Sequence, residues 1–430
     1  MDLDQAHGVL TNRSKQGPPR NNSHTEYRRK LENLTLDPEG RQFQMLVFRG
    51  SPKSSRRPTH LIDEMRRSDE ENPIRKPLRG FPKRESRILD APNLKRDFYL
   101  ETIDWGKSNV LAVALGAEVY LWNEDGRGIE VLSEVDGTDY PASVSWYEEA
   151  SVVAVGYNCN RLHLYDAESL KLGRSLDCHK GRVGSLAWNG YLLTTGSKDR
   201  AIISHDVRAR NSVVCYVKAH KMEVCGLKWS NTGKILASGG NDNVVYLWDV
   251  RKMGARQHLY RFNDHSGAVK ALAWCPYDDN MLASGGGTSD GSIKMWNTQK
   301  GTCISSTKTN AQASFGDYAN CGISVCYYEQ VCGLEWNIHH KEILSGHGYG
   351  FEPGNNRLCL WRYPSMSKIG ESGVHTSRIL HLSQSPDGLT VASAVADETL
   401  RLWEVFGPKS NNEKITYLEG LLSFKTTPLR

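Results

Sequence analysis

The chain has 430 residues, 39% of them hydrophobic and 24% charged, enough for a sizeable buried core. It holds no run of about 18 apolar residues, which argues against a membrane-spanning helix. The formal net charge of +5 is unevenly placed: residues 1–86 hold 18 Lys+Arg and 12 Asp+Glu, the remainder 36 and 37. The ten cysteines are scattered without a C-x-x-C pair, and no nearby histidine completes zinc spacing around Cys321, Cys326 and Cys332. Neither a metal centre nor a disulfide framework is therefore expected, and reduced thiols are.

In chain order, the first segment is a basic arm. Its start, MDLDQAHGVL, lacks the basic-then-apolar layout of a secretory signal. Residues 1–86 contain no tryptophan, and stretches such as KQGPPRNNSH and SPKSSRRPTH have the composition of a segment disordered when free. Such an arm suits contact with nucleic acid or nuclear import, and equally a solvated linker carrying short docking peptides. It lacks the interleaved aromatics on which bases stack, so nucleic acid is not the expected partner. Ser51, in SPK, is a candidate for proline-directed phosphorylation.

Beyond residue 100 the chain repeats. Trp105, Trp146, Trp188, Trp229, Trp274 and Trp336 each end an apolar strand, at spacings of 41, 42, 41, 45 and 62. A second series ends alternating strands: Trp122, Tyr165, His205, Trp248, Trp296, Trp361 and Trp403. Small-residue strands such as VVAVG, LLTTG, ILASGG and MLASGG lie between the two series. Period-2 alternation, Gly/Asp/Asn turns and a unit of about 40–45 residues predict four short strands per repeat. Seven such units predict an all-β fold, a seven-bladed WD-repeat β-propeller over residues 87–407, with a largely disordered arm at 1–86 and a tail at 408–430. A stretch near 310–328 accounts for the wide spacing and is expected to be a surface loop.

A polar set recurs with the blades: His220, Ser238, Asp242 and Trp248; His375, Ser393, Asp397 and Trp403; and His179 with Thr195 and Asp199. A His–Ser–Asp trio is also the composition of a hydrolytic triad. A catalytic site occurs once, whereas a hydrogen-bond network that satisfies a half-buried aspartate recurs in every blade, so no catalytic residues are expected.

Beyond the generic repeat, RILDAPNLKRDFYLETIDW (87–105), HKGRVGSLAWN (179–189), ASGGNDN (237–243) and SPDGLTVASAVADETLRLW (385–403) carry a more specific likeness. Over residues 87–407 the chain resembles the fizzy and fizzy-related activators, the substrate-recognising co-activators of the anaphase-promoting complex, a ubiquitin ligase. The resemblance implies two binding sites for degrons, the short peptides that mark a protein for destruction. For an Arg-x-x-Leu degron, Asp90 and Glu398 would receive the arginine, and Pro92, Val113 and Ile129 would wall the leucine slot. For a Lys-Glu-Asn degron, Asp97 would meet the lysine and Arg378 the glutamate. Asn241, Asn243, Thr288 and Gln330 would hydrogen-bond the asparagine and the peptide backbone.

The resemblance also implies ligase-docking elements, and here the chain departs from the family. In HGVLTNRS (7–14), Val9, Leu10 and Arg13 fit the family's Asp-Arg-(Phe/Tyr)-Ile-Pro box and its trailing Asn-Arg-Ser, but Gly8 replaces the box arginine and Thr11 the proline. QMLVFRG, with Leu46 and Arg49, resembles a second docking helix, and Leu429-Arg430 stands where the family ends in Ile-Arg. HLIDEMRRSDEENP is a degenerate version of a spindle-checkpoint motif. The expected function is that of a non-enzymatic adaptor presenting mitotic or meiotic proteins, cyclins among them, to the ligase in nucleus and cytoplasm. Checkpoint proteins are further partners, and no cofactor, metal or membrane is involved. The alternative is a scaffold that binds degrons without activating the ligase, acting as a decoy.

Overall fold

Short alternating strands separated by Gly, Asp and Asn turns fold back on themselves, and each repeat becomes a four-stranded antiparallel sheet. A computed structural model of the protein describes residues 81–407 apart from 83, 124–127, 136, 148, 150, 177–178, 310–313, 316–325, 328–329, 349–355 and 374. All of these belong to the unit Arg79–Arg430. The docking residues Val9, Leu10, Arg13, Leu46, Arg49, Leu429 and Arg430 lie outside the described residues.

Seven four-stranded sheets form the blades of an all-β propeller. Blades one to six run over residues 103–134, 141–176, 183–217, 224–262, 269–308 and 330–371. Blade seven takes three strands from 379–403, and its fourth, outermost strand is Arg87–Asp90 from the other end of the repeat region. That strand pairs with Thr399–Trp403, with Arg87 opposite Leu402 and Asp90 opposite Thr399. The ring is thus closed by chain segments more than 300 residues apart. The first strand of each blade packs on the first strands of its neighbours around the axis. Phe81 also joins the core, buried beside Trp403 and Phe406.

The small residues of the second strands have a steric cause. A Cβ at Gly239 would stand 2.3 Å from the Val269 carbonyl oxygen of the next blade, and one at Gly285 would stand 2.4 Å from the Val331 side chain. Blades can meet this closely only where the side chain is absent.

The two tryptophan series do different work. In the first, Trp188, Trp274 and Trp336 donate their indole N–H to carbonyls of the preceding blade, Ser145 at 3.4 Å, Lys228 at 3.0 Å and Ala273 at 3.2 Å. In the second, Trp248, Trp296, Trp361 and Trp403 donate within their blade to Ser238, Ser284, Ser345 and Ser393.

The recurring polar set is a structural network in blades three to five. His220 bonds Asp242 at 3.0 Å and Ser238 at 2.9 Å, and His179 bonds Asp199 at 3.1 Å and Thr195 at 2.7 Å. His265 repeats the arrangement with Asp290 and Ser284. Blade seven departs from the expectation. Thr376, Thr399 and Arg401 bond the Asp397 carboxylate, and the buried His375 ring finds no hydrogen-bond partner among the described residues. The reason is local: Thr376 follows His375 where blades three to five carry lysine or serine donating only a backbone N–H, and its hydroxyl competes for the carboxylate.

Between blades five and six, Ser314–Phe315 pairs with Cys326–Tyr327 as a two-stranded hairpin, so the insertion holds more regular structure than a plain loop.

Candidate functional site

One face of the ring carries the turns between second and third strands and the loops that enter each first strand. Residues 91–102 form a strap on this face, joining the closing strand to blade one. Their apolar side chains, Leu94, Phe98 and Leu100, are buried. Lys270, at the start of blade five, donates to the carbonyls of Leu100 at 2.7 Å and Leu380 at 2.8 Å, with its ammonium 5.5 Å from the Phe98 ring. Burial pulls the pKa of this ammonium down, and the Glu101 carboxylate partly restores it. Below the strap lies an axial cavity of about 330 Å³ lined by Glu101, Asp104, Lys228, Glu335 and His381 among others.

The first candidate site sits where blade seven meets blade one. The register that closes the ring sets Asp90 opposite Thr399, next to Glu398 in the adjoining turn. The backbone N–H of Ala91 donates to the Glu398 carbonyl at 2.8 Å. Glu398 has φ of 65°, a left-handed conformation costly for a residue with a Cβ. The Glu398 carboxylate accepts from the Asn93 backbone N–H at 3.3 Å and from the Arg96 guanidinium at 3.4 Å. Asp90 is exposed, and its carboxylate has no hydrogen-bond partner among the described residues. Two carboxylates facing solvent can take a guanidinium.

The apolar residues divide. Pro92 is exposed and Ile129, at the head of the outermost strand of blade one, is 67% exposed, with Val131 exposed on the same strand and Ile88 on the outermost strand of blade seven. Val113 is 3% exposed, packed with Ala91, Leu94 and Leu400. Val113 therefore offers no surface to a ligand, whereas Pro92 and Ile129 do.

The second candidate site is nearer the axis. Arg182, at the entry to blade three, bonds Asp97 on the strap and pairs doubly with Glu223 at the entry to blade four, at 2.6 and 2.9 Å. Burial alone would lower the arginine's pKa, but the two carboxylates overcome it and hold the charge firmly. Asp97 also accepts the Tyr99 N–H at 3.0 Å, and the Tyr99 hydroxyl donates to the Asn241 side chain at 2.9 Å. Asn241 is further fixed by its N–H to the Glu223 carbonyl at 2.9 Å. Asn243 has φ of 64°, the blade-four equivalent of Glu398. Thr288 is half-buried in the matching turn of blade five. Gln330 begins the first strand of blade six and is buried, and Arg378 enters blade seven and donates to the Arg96 carbonyl.

Asp97 and Asn241 are thus joined in one bonded network. Thr288, Gln330 and Arg378 lie on the same face, and among them only Arg378 is bonded to the strap within the described contacts. Arg182, Glu223, Tyr99 and Arg96 were not anticipated. A signal existed for two of them: Arg182, Glu223 and Arg378 all stand three residues after a blade histidine, His179, His220 and His375. The same place in blade five is Ala268.

Comparison with known proteins bears on this arrangement. The sequence profile of the CDC20/Fizzy WD40 domain matches residues 89–315, and that of the WD domain, G-beta repeat, matches residues 367–404. The chain is 43% identical over 424 residues to the Arabidopsis thaliana protein "Cell division cycle 20.5, cofactor of APC complex", covering 96% of this chain and 87% of that one. It is 38% identical over 389 residues to "Meiotic fizzy-related protein 1" of Schizosaccharomyces pombe, covering 90% and 83%. A chain of the solved structure "Crystal Structure of Mitotic Checkpoint Complex" superposes with a TM-score of 0.68 at 39% identity, over 76% of this chain and 95% of that one.

Proposed function

Because the chain belongs to the CDC20/Fizzy family, we propose that it is a substrate-recognising activator of the anaphase-promoting complex, binding degrons of mitotic or meiotic proteins on the strapped face of its propeller. Its role is binding, and bond-making is left to the ligase. Degron-bearing proteins such as cyclins are its substrates, checkpoint proteins are further partners, and it works in nucleus and cytoplasm. Residues 87–407 are the receptor, and the arm 1–86 and tail 408–430 dock the ligase.

The observation that carries this reading is the strap 91–102, which brings an exposed carboxylate pair, Asp90 and Glu398, and a bonded acid–amide set, Asp97 and Asn241, onto one face. The first suits a guanidinium beside an apolar side chain. The second suits a cation beside an amide. A second reading, a decoy that captures degrons without delivering them, is favoured by Gly8 and Thr11 in the docking box.

The test is recovery of the anaphase-promoting complex by tagged full-length protein from dividing cells, with ubiquitin transfer to an Arg-x-x-Leu substrate measured on the recovered material. The native chain is expected to recover an active ligase, and the Asp90→Asn, Glu398→Gln double variant to recover the ligase but lose transfer to that substrate. Recovery only after His7→Asp, Gly8→Arg, Val9→Phe, Leu10→Ile and Thr11→Pro would replace the activator with the decoy.

A further inference from the structure

We propose that Arg96 is an internal stand-in for the ligand arginine, seated on Glu398 until a degron displaces it. This rests on the reading of Asp90 and Glu398 as the arginine site. Arg96 Nη2 lies 3.4 Å from Glu398 Oε1. The other carboxylate oxygen, Oε2, accepts the Asn93 N–H. Both oxygens that a forked guanidinium would engage are therefore committed within the chain itself. Asp90, the second acid of the pair, has no hydrogen-bond partner among the described residues and remains open to an incoming charge.

The contact is built to be displaced. Its side chains are 65% and 41% exposed, so water and salt screen it. The backbone that carries it is anchored independently: the Arg96 carbonyl accepts from Arg378, and the next residue, Asp97, is bonded to Arg182. The Arg96 side chain can swing to solvent without moving the strap, and when it does Glu398 Oε1 is open to a ligand while Oε2 keeps its bond to the Asn93 N–H.

An exposed ion pair worth up to about 1 kcal/mol leaves the site open for a half to a sixth of the time, and apparent affinity falls by that fraction. Arg96 thereby raises the threshold for weak ligands. A peptide offering arginine alone must compete with a tethered arginine, whereas one that also fills the apolar edge beside Ile129 has further binding energy with which to displace it.

The experiment measures binding of a fluorescent Arg-x-x-Leu peptide, and of the same peptide with citrulline for arginine, to full-length protein. Arg96→Gln is expected to tighten the arginine peptide roughly two- to six-fold and to leave the citrulline peptide unchanged. In a Glu398→Gln background the gain should largely disappear. No gain from Arg96→Gln, or an equal gain with and without Glu398, overturns the inference, since the second result would reflect only the loss of a nearby like charge. If the wild-type protein does not bind the arginine peptide in a manner abolished by Asp90→Asn, the site reading itself fails and this inference falls with it. Asp90-dependent binding that Arg96→Gln does not improve removes the inference alone.

Discussion

A buried arginine between two carboxylates sets the character of the axial site. Glu223 and Asp97 bring two negative charges against the one positive charge of Arg182, so the cluster keeps a net charge of −1 on its solvent side, where Asp97 is one-third exposed. Glu223 never has to touch a ligand to matter: by taking two of the guanidinium's donors it leaves Asp97 able to hold a second cation. Glu223→Gln should make the cluster neutral. Affinity for a Lys-Glu-Asn peptide is then expected to fall about three- to ten-fold, as for a nearby charge that acts through partly screened space without contact, while a Gln-Glu-Asn peptide is little affected. Titration of both peptides by fluorescence anisotropy decides it, and equal losses would mean that Glu223 only supports the fold. Arg182 and Glu223 could not have been paired from the sequence. They lie 41 residues apart, and Arg182 and Asp97 lie 85 apart, so their meeting depends on how blades three and four stand around the strap. The His–Ser–Asp–Trp network was legible for the opposite reason. It recurs, and repetition distinguishes scaffold from site.

The strap 91–102 contributes to both expected sites. It touches Glu398 through Ala91, Asn93 and Arg96, Arg182 through Asp97, and Asn241 through Tyr99. Lys270 fastens it at Leu100 and fastens Leu380 of blade seven at the same time. Lys270→Met keeps the length of the side chain and removes both bonds, leaving two carbonyls without their donor at a cost of about 1–3 kcal/mol each. Relief of a buried charge offsets part of this loss of stability. The expected result is therefore faster backbone amide exchange across Leu94–Leu100 and a parallel weakening of both degron peptides. Hydrogen exchange followed by mass spectrometry reads the first, and unchanged protection there would remove the fastening role. Strand number and order were readable from the two tryptophan series and the 40–45-residue unit. The strap was readable only as an irregular run between Asp90 and the first blade, because nothing in local periodicity says where an irregular segment is tied down. The hairpin at Ser314–Phe315 and Cys326–Tyr327 was missed for a related reason, since two-residue strands carry no measurable alternation.

The propeller as a whole closes by joining its two ends, and so its interior is a ring of blades around a polar axis instead of one continuous apolar core. That arrangement buries titratable groups of both kinds, and their pH responses oppose each other. Burial pushes the Glu335 and Glu101 carboxyls, both lining the axial cavity, up to about 7. Their folded-state values lie above the unfolded value of about 4.3, so the stability they contribute is fully present below that value and is lost as pH rises through 7. Burial, with the nearby Arg401 charge, instead pulls the His375 imidazole down to about 4. Below an unfolded value near 6.5 the unfolded chain gains a proton that the native state refuses, and stability is lost as pH falls toward 4. Each group that differs in this way changes stability by up to about 1.4 kcal/mol per pH unit within its window. Glu335→Gln, which imitates the protonated carboxyl, should therefore stabilise the protein at pH 8 and lose that advantage progressively toward pH 4.5. His375→Gln should have a constant offset from the wild type above pH 6.5 and gain on it below. Urea unfolding midpoints at pH 8, 6.5, 5.5 and 4.5 separate the two, because a general packing defect shifts the whole curve and leaves its slope unchanged. Slopes that change in the same direction for both variants would contradict the opposed responses of buried acid, along the axis, and buried base, beside Trp403 in blade seven.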